Sequence, residues 1–532
     1  MPPAQYNPST GQSYMASSDI VEPSTIKRAK ATQQWSQWEQ AIHAELDALV
    51  SNGTWSMEDL PPGGRALPCK WVFKVKRDQH GEVERFKARL VAGGHRQVEG
   101  IDYDEVYAPV GRHASLRCML SMAAERDLEL HAIDISNAFL NGELHETIYM
   151  KPPEHSGLGH DGKVCKLRKT LYGLKQSPKE WYAVLSKALS DMGMKATEHD
   201  PGLWHGRMNG SDVFLVLWVD DIIIAAHKSA VDMFKRQLLT RFKGRDLGEA
   251  TQYLNMSIAR DRAARTITIS QPQHIANVLA TAGMTACKGS SVPMHQGIDM
   301  SPTTEADQPL TGQPYAECVG ALLYISNCTR PDIAFAVNSL ARHMANPCIR
   351  HWEQCMQLLK YMQHTKHDGL TLGGTKDGLV GYTDADFAGC KVTRKSRSGH
   401  VFLVNGGAVS WSSKLQTCAV ALSTAESEYI AAGAAVKEGL WLKRVCQDLG
   451  IPARPVQLHV DNQAAIYMAS TGAMSDRTKH IAVRHHFIRD EVSKGNVVLQ
   501  YVQSKSNVAD LFTKPLLGIE LARLANMIGV GK

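Results

Sequence analysis

The sequence lacks the cysteine patterns on which extracellular proteins and zinc fingers depend. Its 11 cysteines are scattered, with no CxxC pair and no Cys/His zinc spacing. We therefore expect a reducing compartment, without a disulfide framework or a zinc finger. No apolar run reaches the roughly 18–20 residues that a membrane span requires, and no signal-peptide pattern precedes the chain, so we expect no membrane partner.

The phosphate-binding P-loop and the nucleophile elbow are also absent from the sequence. What is present is an ordinary globular composition, since 43% of the 532 residues are hydrophobic and 21% are charged. A chain of this length should form several domains. The net charge is only +6, but the segment from Arg65 to Arg96 contains nine Lys or Arg and only three acidic residues. This local excess favours a polyanionic partner, and a solvated surface is the alternative.

The central stretch of the chain is VFLVLWVDDIIIAA, from Val213 to Ala226. Asp220 and Asp221 interrupt an apolar run rich in β-branched residues, which predicts two buried strands that form a hairpin. Two adjacent carboxylates in such a place are costly unless a cation compensates them, and Mg²⁺ prefers oxygen ligands. The alternative is a plain solvated turn, which the absence of glycine here disfavours.

A second predicted hairpin carries most of the local positive charge. Lys70–Lys76 and Arg85–Ala92 alternate basic and apolar residues, as half-buried strands do. The basic residues that could clamp phosphates are Lys74, Lys76, Arg77, Lys87 and Arg89. Asp134 ends a further predicted strand, Leu128–Ile135, where a carboxylate is unusual without a partner. A helix N-cap is the alternative role for Asp134.

Apolar spacing predicts helices over Trp35–Val50 and Tyr315–Met344. From about Gly378 the pattern changes to three strands, a long helix, and then alternating helix and strand, which predicts a compact α/β unit. Four acids lie near the ends of its predicted elements, namely Asp384, Glu428, Asp461 and Asp510. If they converge at one edge of the sheet, they provide the ligands of a two-metal phosphodiester hydrolase. Each acid taken alone is more often a cap or a surface residue.

Several segments also resemble a known family. Similarity to the reverse transcriptase of copia-type (Pseudoviridae) LTR retrotransposons lies in LPCKWVFKVKRD, FKARLVAGGHRQ, YAPV, IDISNAFLNGEL, LYGLKQSPKEWY and LWVDDIIIA. Similarity to the ribonuclease H domain that follows it in the Pol polyprotein lies in YTDADFAG, ALSTAESEYIAA, LHVDNQAAI, RTKHIAVRHHFIRDE and NVADLFTKPL. The resemblance extends from about Val21 to Leu517, and the number and order of the motifs make it specific.

The resemblance implies an α+β and α/β multidomain fold. A right-hand polymerase with fingers, palm and thumb would be followed by a ribonuclease H-like α/β domain with a five-stranded mixed sheet. The implied domains are a disordered N-terminus (1–20), fingers and palm (21–258), a thumb- or connection-like helical region (259–377), a ribonuclease H domain (378–517) and a C-terminal tail (518–532). We also expect the ribonuclease H domain to be an independent nuclease.

The resemblance further implies roles for individual residues of the polymerase. Asp134, Asp220 and Asp221 would be catalytic ligands of two Mg²⁺ ions, with Mn²⁺ as an alternative. Phe139 would exclude the ribose 2′-hydroxyl, because a bulky ring occupies that space. The nucleotide-binding residues would be Tyr172 and Gly173, together with Lys74 or Lys76 and Lys87 or Arg89, with the choice within each pair left open.

In the second domain, Asp384, Glu428, Asp461 and Asp510 match the catalytic and metal-binding tetrad of ribonuclease H, again with two ions. The chain departs from the family at three places. Trp218 stands where Tyr is usual, and Asn255 replaces the usual Gly of the primer-grip segment. The histidine that many ribonucleases H place before the last Asp is missing, with His480 or His486 as weak substitutes.

The implied function is an RNA-directed DNA polymerase and RNA–DNA hybrid ribonuclease that replicates an LTR retrotransposon. Its partners would be an RNA template, a DNA or tRNA primer, the RNA–DNA hybrid and dNTPs, with the capsid and integrase of the same element as further partners. We expect it in cytoplasmic virus-like particles, with a nuclear phase. One rival is an inactive or truncated remnant that only binds nucleic acid. The other is a stand-alone two-metal nuclease, which the intact Asp134, Asp220 and Asp221 disfavour.

Overall fold

The computed structural model of the chain describes residues 5–6, 13–14, 20–77, 83–159, 161–417, 421–452, 454–471 and 482–531. Most of the N-terminal segment that we predict to be disordered lies outside these residues. Within it, β1 (Gln5–Tyr6) and β2 (Ser13–Tyr14) pair as short antiparallel strands. His480 and the side chains of Arg77 and His486 also lie outside the described part of the chain.

Helices and strands both occur throughout the described part of the chain, partly in runs of one kind. The helices are α1 (Ile26–Lys30), α2 (Trp35–Ser51), α3 (His113–Arg126), α4 (Ser177–Asp191), α5 (Lys228–Arg241), α6 (Pro272–Thr281), α7 (Tyr315–Cys328), α8 (Ala334–Ala341), α9 (Ile349–His364), α10 (Thr424–Asp448), α11 (Gln463–Thr471), α12 (Ala482–Ser493) and α13 (Gly518–Met527). Among the described helices, none combines the length and the apolarity that a bilayer-spanning helix needs.

The remaining strands are mostly short. They are β3 (Trp55–Glu58), β4 (Ala66–Leu67), β5 (Cys69–Arg77), β6 (Val83–Ala92), β7 (Glu129–Ile135), β8 (Tyr149–Met150), β9 (Val164–Leu167), β10 (Lys195–Ala196), β11 (Leu203–Met208), β12 (Ser211–Trp218), β13 (Asp221–Ala226), β14 (Gly244–Glu249), β15 (Gln252–Tyr253), β16 (Met256–Asp261), β17 (Thr266–Ser270), β18 (Gly369–Gly373), β19 (Leu379–Asp386), β20 (Arg397–Val404), β21 (Gly407–Leu415), β22 (Val456–Val460), β23 (Val497–Tyr501) and β24 (Val530–Gly531).

The chain divides into two compact units, and it passes between them three times. The first unit contains Met1–Pro109 and Ile135–Asp191, and the second contains Val110–Asp134 and Met192–Lys532. The predicted domain boundaries at 258 and 377 both fall inside the second unit. The functional domains assigned from the resemblance therefore stay a prediction.

The first unit is built on the predicted basic hairpin and the predicted helix before it. β5 and β6 pair antiparallel, and their apolar face packs against α2. The Trp38 ring meets the rings of Phe73 and Phe86 edge-on, at centroid distances of 5.3 and 4.6 Å. Because side chains alternate along a strand, this packing leaves the basic residues on the opposite face. A four-stranded sheet in the order β3-β9-β8-β4 completes the unit.

The first sheet of the second unit contains the central stretch of the sequence. Its strand order is β10-β11-β12-β13-β7-β14, so β13 pairs antiparallel with both β12 and β7. Every residue of β13 after Asp221 is buried. Helix α3 is buried along its whole length from Ala114 to Ala124. A strand covered on both faces explains why the sequence reads here as an unbroken apolar run.

The predicted α/β unit forms a five-stranded mixed sheet in the order β21-β20-β19-β22-β23. β19 pairs antiparallel with β20 and parallel with β22, and β22 pairs parallel with β23. These strands do not form a separate body, because they share one apolar core with α3 and α7 to α9. The buried Arg117 of α3 joins them directly, since its guanidinium donates to the Val409 carbonyl at 2.8 Å and lies 4.1 Å from the Trp411 ring centroid.

Two further predictions need correction. The helix predicted over Tyr315–Met344 is interrupted after Cys328, because Pro331 cannot donate a backbone hydrogen bond and the fully buried Arg330 turns inward to pair with Asp332. The segment predicted as a C-terminal tail carries α13 and β24, and β24 joins a second five-stranded sheet in the order β15-β16-β17-β18-β24.

Candidate active sites

Strand pairing brings the three carboxylates of the first candidate site to one end of the central sheet, which is the six-stranded sheet of the second unit. Asp134 near the end of β7 lies directly opposite Asp221 at the start of β13. Trp218 pairs with Asp221, which leaves Val219 and Asp220 as a two-residue turn. All three acids are partly exposed. The predicted hairpin therefore exists, and a strand distant in the sequence supplies its third acid.

The turn itself is strained. Val219 has a φ of 57°, in the left-handed region that β-branched residues rarely occupy. Tight hairpin turns ordinarily place Gly, Asn or Asp at such positions. Strained conformations cluster at functional sites, where rigid neighbours hold them. The buried strands on either side provide that rigidity, which favours a functional site over a plain solvated turn.

A cation from the protein already neutralises one of the three acids. Arg245 of β14 donates to Asp134 Oδ2 from Nε at 3.1 Å and from Nη2 at 2.7 Å. In the part of the chain that the structure describes, two groups of three ligand residues have their atoms within 4.8 Å of one another, and this trio is not one of them. A metal ion bound by Asp134, Asp220 and Asp221 would therefore compete with Arg245 for Asp134 Oδ2.

Two aromatic residues, Tyr253 and Trp218, connect the hairpin to its surroundings. The Tyr253 hydroxyl lies 3.3 Å from the Asp221 carbonyl oxygen and 3.4 Å from that of Val216. Burial, together with the charges of Asp221 and Asp220, raises the pKa of Tyr253 well above its usual value, so the phenol stays neutral. Trp218 stacks on His113 at 5.0 Å. Burial and the nearby Arg117 lower the pKa of His113 to about 4, so the stacked imidazole is neutral at pH 7.

The structure explains how the chain tolerates Asn255 in place of the family's usual glycine. Asn255 lies in the turn between β15 and β16 with a φ of 57°. Glycine adopts this conformation freely, and asparagine is among the few other residues that do so readily. The backbone conformation that glycine would provide is therefore kept.

In the first unit, three of the predicted nucleotide-binding residues lie together. The rings of Phe139 and Tyr172 meet edge-on at 4.8 Å. The Arg89 guanidinium carbon lies 4.8 Å from the Tyr172 ring centroid. Gly173 has a φ of 93°, and a Cβ added there would lie 2.2 Å from the Ala92 carbonyl oxygen. Only glycine fits this turn. Of the two open choices on β6, Arg89 stacks on Tyr172, and the choice between it and Lys87 stays a prediction.

The basic face of the first-unit hairpin has its like charges directly opposite one another. Lys74 pairs with Lys87, and Lys76 pairs with Arg85, across the two strands. Like charges in this position destabilise a hairpin. Glu22 offsets part of this repulsion through an ion pair with Lys74. Bound phosphates would supply negative charge that lowers the remaining repulsion.

The second candidate site forms at the carboxyl-terminal parts of two neighbouring parallel strands. Thr383 of β19 pairs with Val460 of β22, which places the next residues, Asp384 and Asp461, next to each other. Glu428 comes from the second turn of α10. The ligand atoms of these three acids lie within 4.8 Å of one another. Three of the four acids that were predicted to converge therefore lie together, and Asp510 lies beside Asp384 but outside this group of three.

Electrostatics at this second site show a surplus of buried negative charge. Burial, with the charges of Asp384 and Asp461, raises the pKa of Glu428 to about 9. Burial and Asp384 raise the pKa of Asp510 to about 7, and the same causes raise that of Asp461. Glu428 Oε2 is buried without a hydrogen-bond partner. An unpartnered carboxylate oxygen among further acids fits the ligand set of divalent cations.

Lys514 is a component of this site that the sequence analysis missed. Its Nζ lies 2.8 Å from Asp510 Oδ1. Although burial opposes it, the attraction of Asp384, Asp510 and Asp461 raises the pKa of Lys514. Two neighbours position the acids, because Thr513 Oγ1 donates to Asp384 Oδ2 and the Asn507 amide donates to the Thr383 carbonyl at 3.0 Å. The four-residue spacing from Asp510 to Lys514 was the available signal.

Glu426 has a different role from Glu428, although the two are close in sequence. Its Oε2 accepts a hydrogen bond from the Leu422 backbone nitrogen at 2.7 Å. The Ser423 hydroxyl in turn accepts from the Glu426 backbone nitrogen at 3.2 Å. This is a reciprocal helix cap at the start of α10. Glu426 therefore does not share the position of Glu428 at the acidic cluster.

Comparison with known sequences finds matches over most of the chain. Residues 52–296 match the family model for reverse transcriptase (RNA-dependent DNA polymerase). The chain is 41% identical over 509 residues to the retrovirus-related Pol polyprotein from transposon TNT 1-94 of Nicotiana tabacum, and 34% and 32% identical to those from transposons RE1 and RE2 of Arabidopsis thaliana. These alignments cover 94%, 96% and 98% of this chain, which spans 38%, 34% and 36% of the respective polyproteins.

Two solved structures also align with the chain. A foamy viral protease–reverse transcriptase in complex with double-stranded DNA covers 91% of this chain and 72% of its own, at 13% identity and a TM-score of 0.25. A ribonuclease H1 from the archaeon Halobacterium salinarum covers 25% of this chain and 93% of its own, at 17% identity and a TM-score of 0.19. TM-scores this low establish no relationship by themselves. The sequence matches do: residues 52–296 belong to the reverse transcriptase family, and the chain is a relative of the copia-type retrotransposon Pol polyproteins.

Proposed function

We propose that this chain is an RNA-directed DNA polymerase with ribonuclease H activity on RNA–DNA hybrids, and that both reactions use divalent cations. The observation that carries the polymerase is the register of the central sheet. Asp134 and Asp221 face each other on neighbouring strands, and Asp220 lies in a strained turn beside them. This arrangement lies within the residues that match the reverse transcriptase family.

In this proposal, each part of the chain has a separate task. The six-stranded sheet is the palm, the β5–β6 hairpin belongs to the fingers, and part of the region 259–377 serves as the thumb. Asp134, Asp220 and Asp221 hold two Mg²⁺ or Mn²⁺ ions, which when bound lower the pKa of the primer 3′-hydroxyl and neutralise the triphosphate. Arg245 neutralises Asp134 while no metal is present.

The residues of the first unit handle the incoming nucleotide. Phe139 presents a ring that Tyr172 holds edge-on, so a ribose 2′-hydroxyl would collide with a supported surface. Arg89 stacks on Tyr172 while its charge remains available to phosphates. The basic face of β5 and β6 binds the triphosphate and the template by charge, without reading bases.

The acidic cluster at the end of β19 and β22 carries the proposal of hybrid cleavage. Asp384, Glu428, Asp461 and Asp510 bind the ions, and Lys514 limits the repulsion among the acids. Cleavage of this kind needs a positioned water and a stabilised leaving oxygen, and both would be held against these carboxylates. The partners that follow are an RNA template, a DNA or tRNA primer, the hybrid and dNTPs. We further propose that the protein works in cytoplasmic virus-like particles with a nuclear phase. The capsid and integrase of the same element would be its protein partners.

Primer extension tests the polymerase directly. Purified protein with an oligo(dT) primer on a poly(rA) template should incorporate dTTP in the presence of Mg²⁺ or Mn²⁺. Asp220→Asn should abolish incorporation and leave cleavage of an RNA–DNA hybrid largely intact, because the two sets of acids are separate. Asp232→Asn, on the exposed side of α5, is the matched control and should extend normally. A folded wild-type chain that binds hybrid but neither extends nor cleaves would support the inactive remnant instead.

A further inference from the structure

A second group of metal-ligand residues lies in the first unit and belongs to neither candidate active site. Glu39 and His43 are one turn apart on α2, and His155 lies on the loop between β8 and β9. Their ligand atoms lie within 4.8 Å of one another. His155 Nε2 is 3.0 Å from Glu39 Oε1, and the two imidazole centroids are 5.9 Å apart.

Local structure fixes the loop that carries His155. The Trp71 indole nitrogen donates to the Glu154 carbonyl at 3.0 Å, and the Lys151 backbone nitrogen donates to the Leu67 carbonyl at 2.8 Å. His155 has a φ of 67°, a left-handed conformation that non-glycine residues seldom adopt. Since the anchored loop holds this conformation, the imidazole is aimed at α2 before any ligand binds.

The surroundings of the three side chains leave one side open. The Trp35 ring meets His155 edge-on at 5.4 Å and forms an apolar wall. The side chains of His155 and Glu39 are 24% and 38% exposed, and His43 is also exposed. A water molecule from the solvent next to the exposed His43 would complete a tetrahedral set of ligands. The hydrogen bond between Glu39 and His155 accounts for that pair, but it gives His43 no role.

We propose that Glu39, His43 and His155 bind a Zn²⁺ ion that ties α2 to the loop before β9. Two imidazoles and one carboxylate suit zinc and not magnesium, which prefers oxygen ligands alone. Zinc bonds of about 2.0–2.2 Å place tetrahedral ligand atoms about 3.3–3.6 Å apart, so a small rotation of the exposed His43 closes the site. This ion would be structural, and the proposal does not depend on the polymerase or the ribonuclease.

Metal titration of the whole chain tests the proposal. The protein is stripped with a chelator and titrated with Zn²⁺ in excess Mg²⁺, which occupies the carboxylate sites, and affinity is read by competition with a chromophoric chelator. Co²⁺ in place of Zn²⁺ should give the strong visible absorption of a tetrahedral nitrogen-containing site. His43→Gln and His155→Gln should each weaken this binding by at least about tenfold.

The matched control is His145→Gln, because His145 lies 3.9 Å from Glu180 in the same unit and is likewise exposed. It should bind Zn²⁺ as the wild type does. Zn²⁺ should also raise the melting temperature of the wild type and of His145→Gln, but not that of His43→Gln. Because His43 is exposed, its variant should fold normally without metal. Equal Zn²⁺ affinity in all four proteins, or the absence of a tetrahedral Co²⁺ spectrum in the wild type, would overturn the proposal.

Discussion

The replacement Glu428→Gln should lower the rate of hybrid cleavage but raise the stability of the fold. Glutamine keeps the size of the side chain but cannot supply an anionic ligand. Loss of a direct ligand should cost at least about 100-fold in hybrid cleavage, since even residues that only support a metal ligand are worth 10–100-fold. Polymerase activity should persist, because Glu428 belongs to the acidic cluster with Asp384 and Asp461.

The same replacement should stabilise the metal-free protein at high pH. Burial and two neighbouring acids raise the pKa of Glu428 from its ordinary 4.5 to about 9. A group with a raised pKa contributes stability that is fully present below pH 4.5 and is lost as the pH rises through about 9. At pH 8 the penalty has an upper limit of about 5 kcal/mol, at about 1.4 kcal/mol per pH unit. Allowing for imperfect hydrogen bonding by glutamine, we expect a gain of about 2 kcal/mol in the free energy of unfolding.

The assay uses a labelled RNA–DNA hybrid with Mg²⁺ or Mn²⁺, single-stranded RNA as the negative substrate, and urea unfolding in EDTA at pH 5 and pH 8. Glu426→Gln is the control, because its carboxylate caps α10 and glutamine can accept the same hydrogen bond. It should cleave hybrid normally. If Glu426 proves essential, or if Glu428→Gln cleaves at the wild-type rate, the assignment of the acidic cluster is wrong.

Three further predictions concern the polymerase. Phe139→Val should raise rNTP incorporation relative to dNTP, because the ring held by Tyr172 is removed, whereas the exposed Phe387→Val should not; unchanged sugar selectivity would refute this role. Lys74→Gln with Lys87→Gln should lower the slope of log affinity against log salt by about 1.4–1.8, as expected for two phosphate contacts, and Lys494→Gln should leave the slope unchanged; an unaltered slope in the double variant would make the basic face a solvated surface. Arg245→Gln should lower the Mg²⁺ concentration for half-maximal extension about two- to fivefold, because a half-exposed ion pair is worth up to about 1 kcal/mol; a higher Mg²⁺ requirement would show that Arg245 assists the metal site.

Periodicity in the sequence predicts most of this fold, because the apolar spacing of a strand or a helix is visible within the segment that forms it. The hairpins around Asp220 and around Lys74, and the long helix α10, follow from apolar spacing alone. The break at Pro331 was visible in principle, but the apolar pattern continues through it. What made Tyr315–Met344 two helices is a buried ion pair between Arg330 and Asp332, which depends on tertiary packing.

The candidate sites also contain some residues that local sequence predicts and others that only tertiary packing brings in. Asp384 and Asp461 could be predicted to meet, because Asp384 lies in the last part of one strand and Asp461 directly follows another, and chain order suggests that the strands share a sheet edge. Arg245 could not be predicted, since nothing local indicates that β14 lies beside β7 and reaches Asp134. His155 is a similar case. The pair Glu39 and His43 has a recognisable spacing, but its third member arrives on a loop whose path depends on anchoring to β5.

The buried Arg117 has a consequence for how this chain can be cut. Besides the Val409 carbonyl, it donates to the carbonyls of Asn327 and Cys328 at 2.8 and 2.9 Å. Excising residues 378–517 would remove one of these three acceptors, the Val409 carbonyl, together with the Trp411 ring against which the guanidinium packs, and would expose the apolar flank of the nuclease sheet. Calorimetry should show the second unit melting in a single transition, and limited proteolysis should release no stable nuclease fragment. The two proposed activities would then be separable by point mutation, but not by dissection.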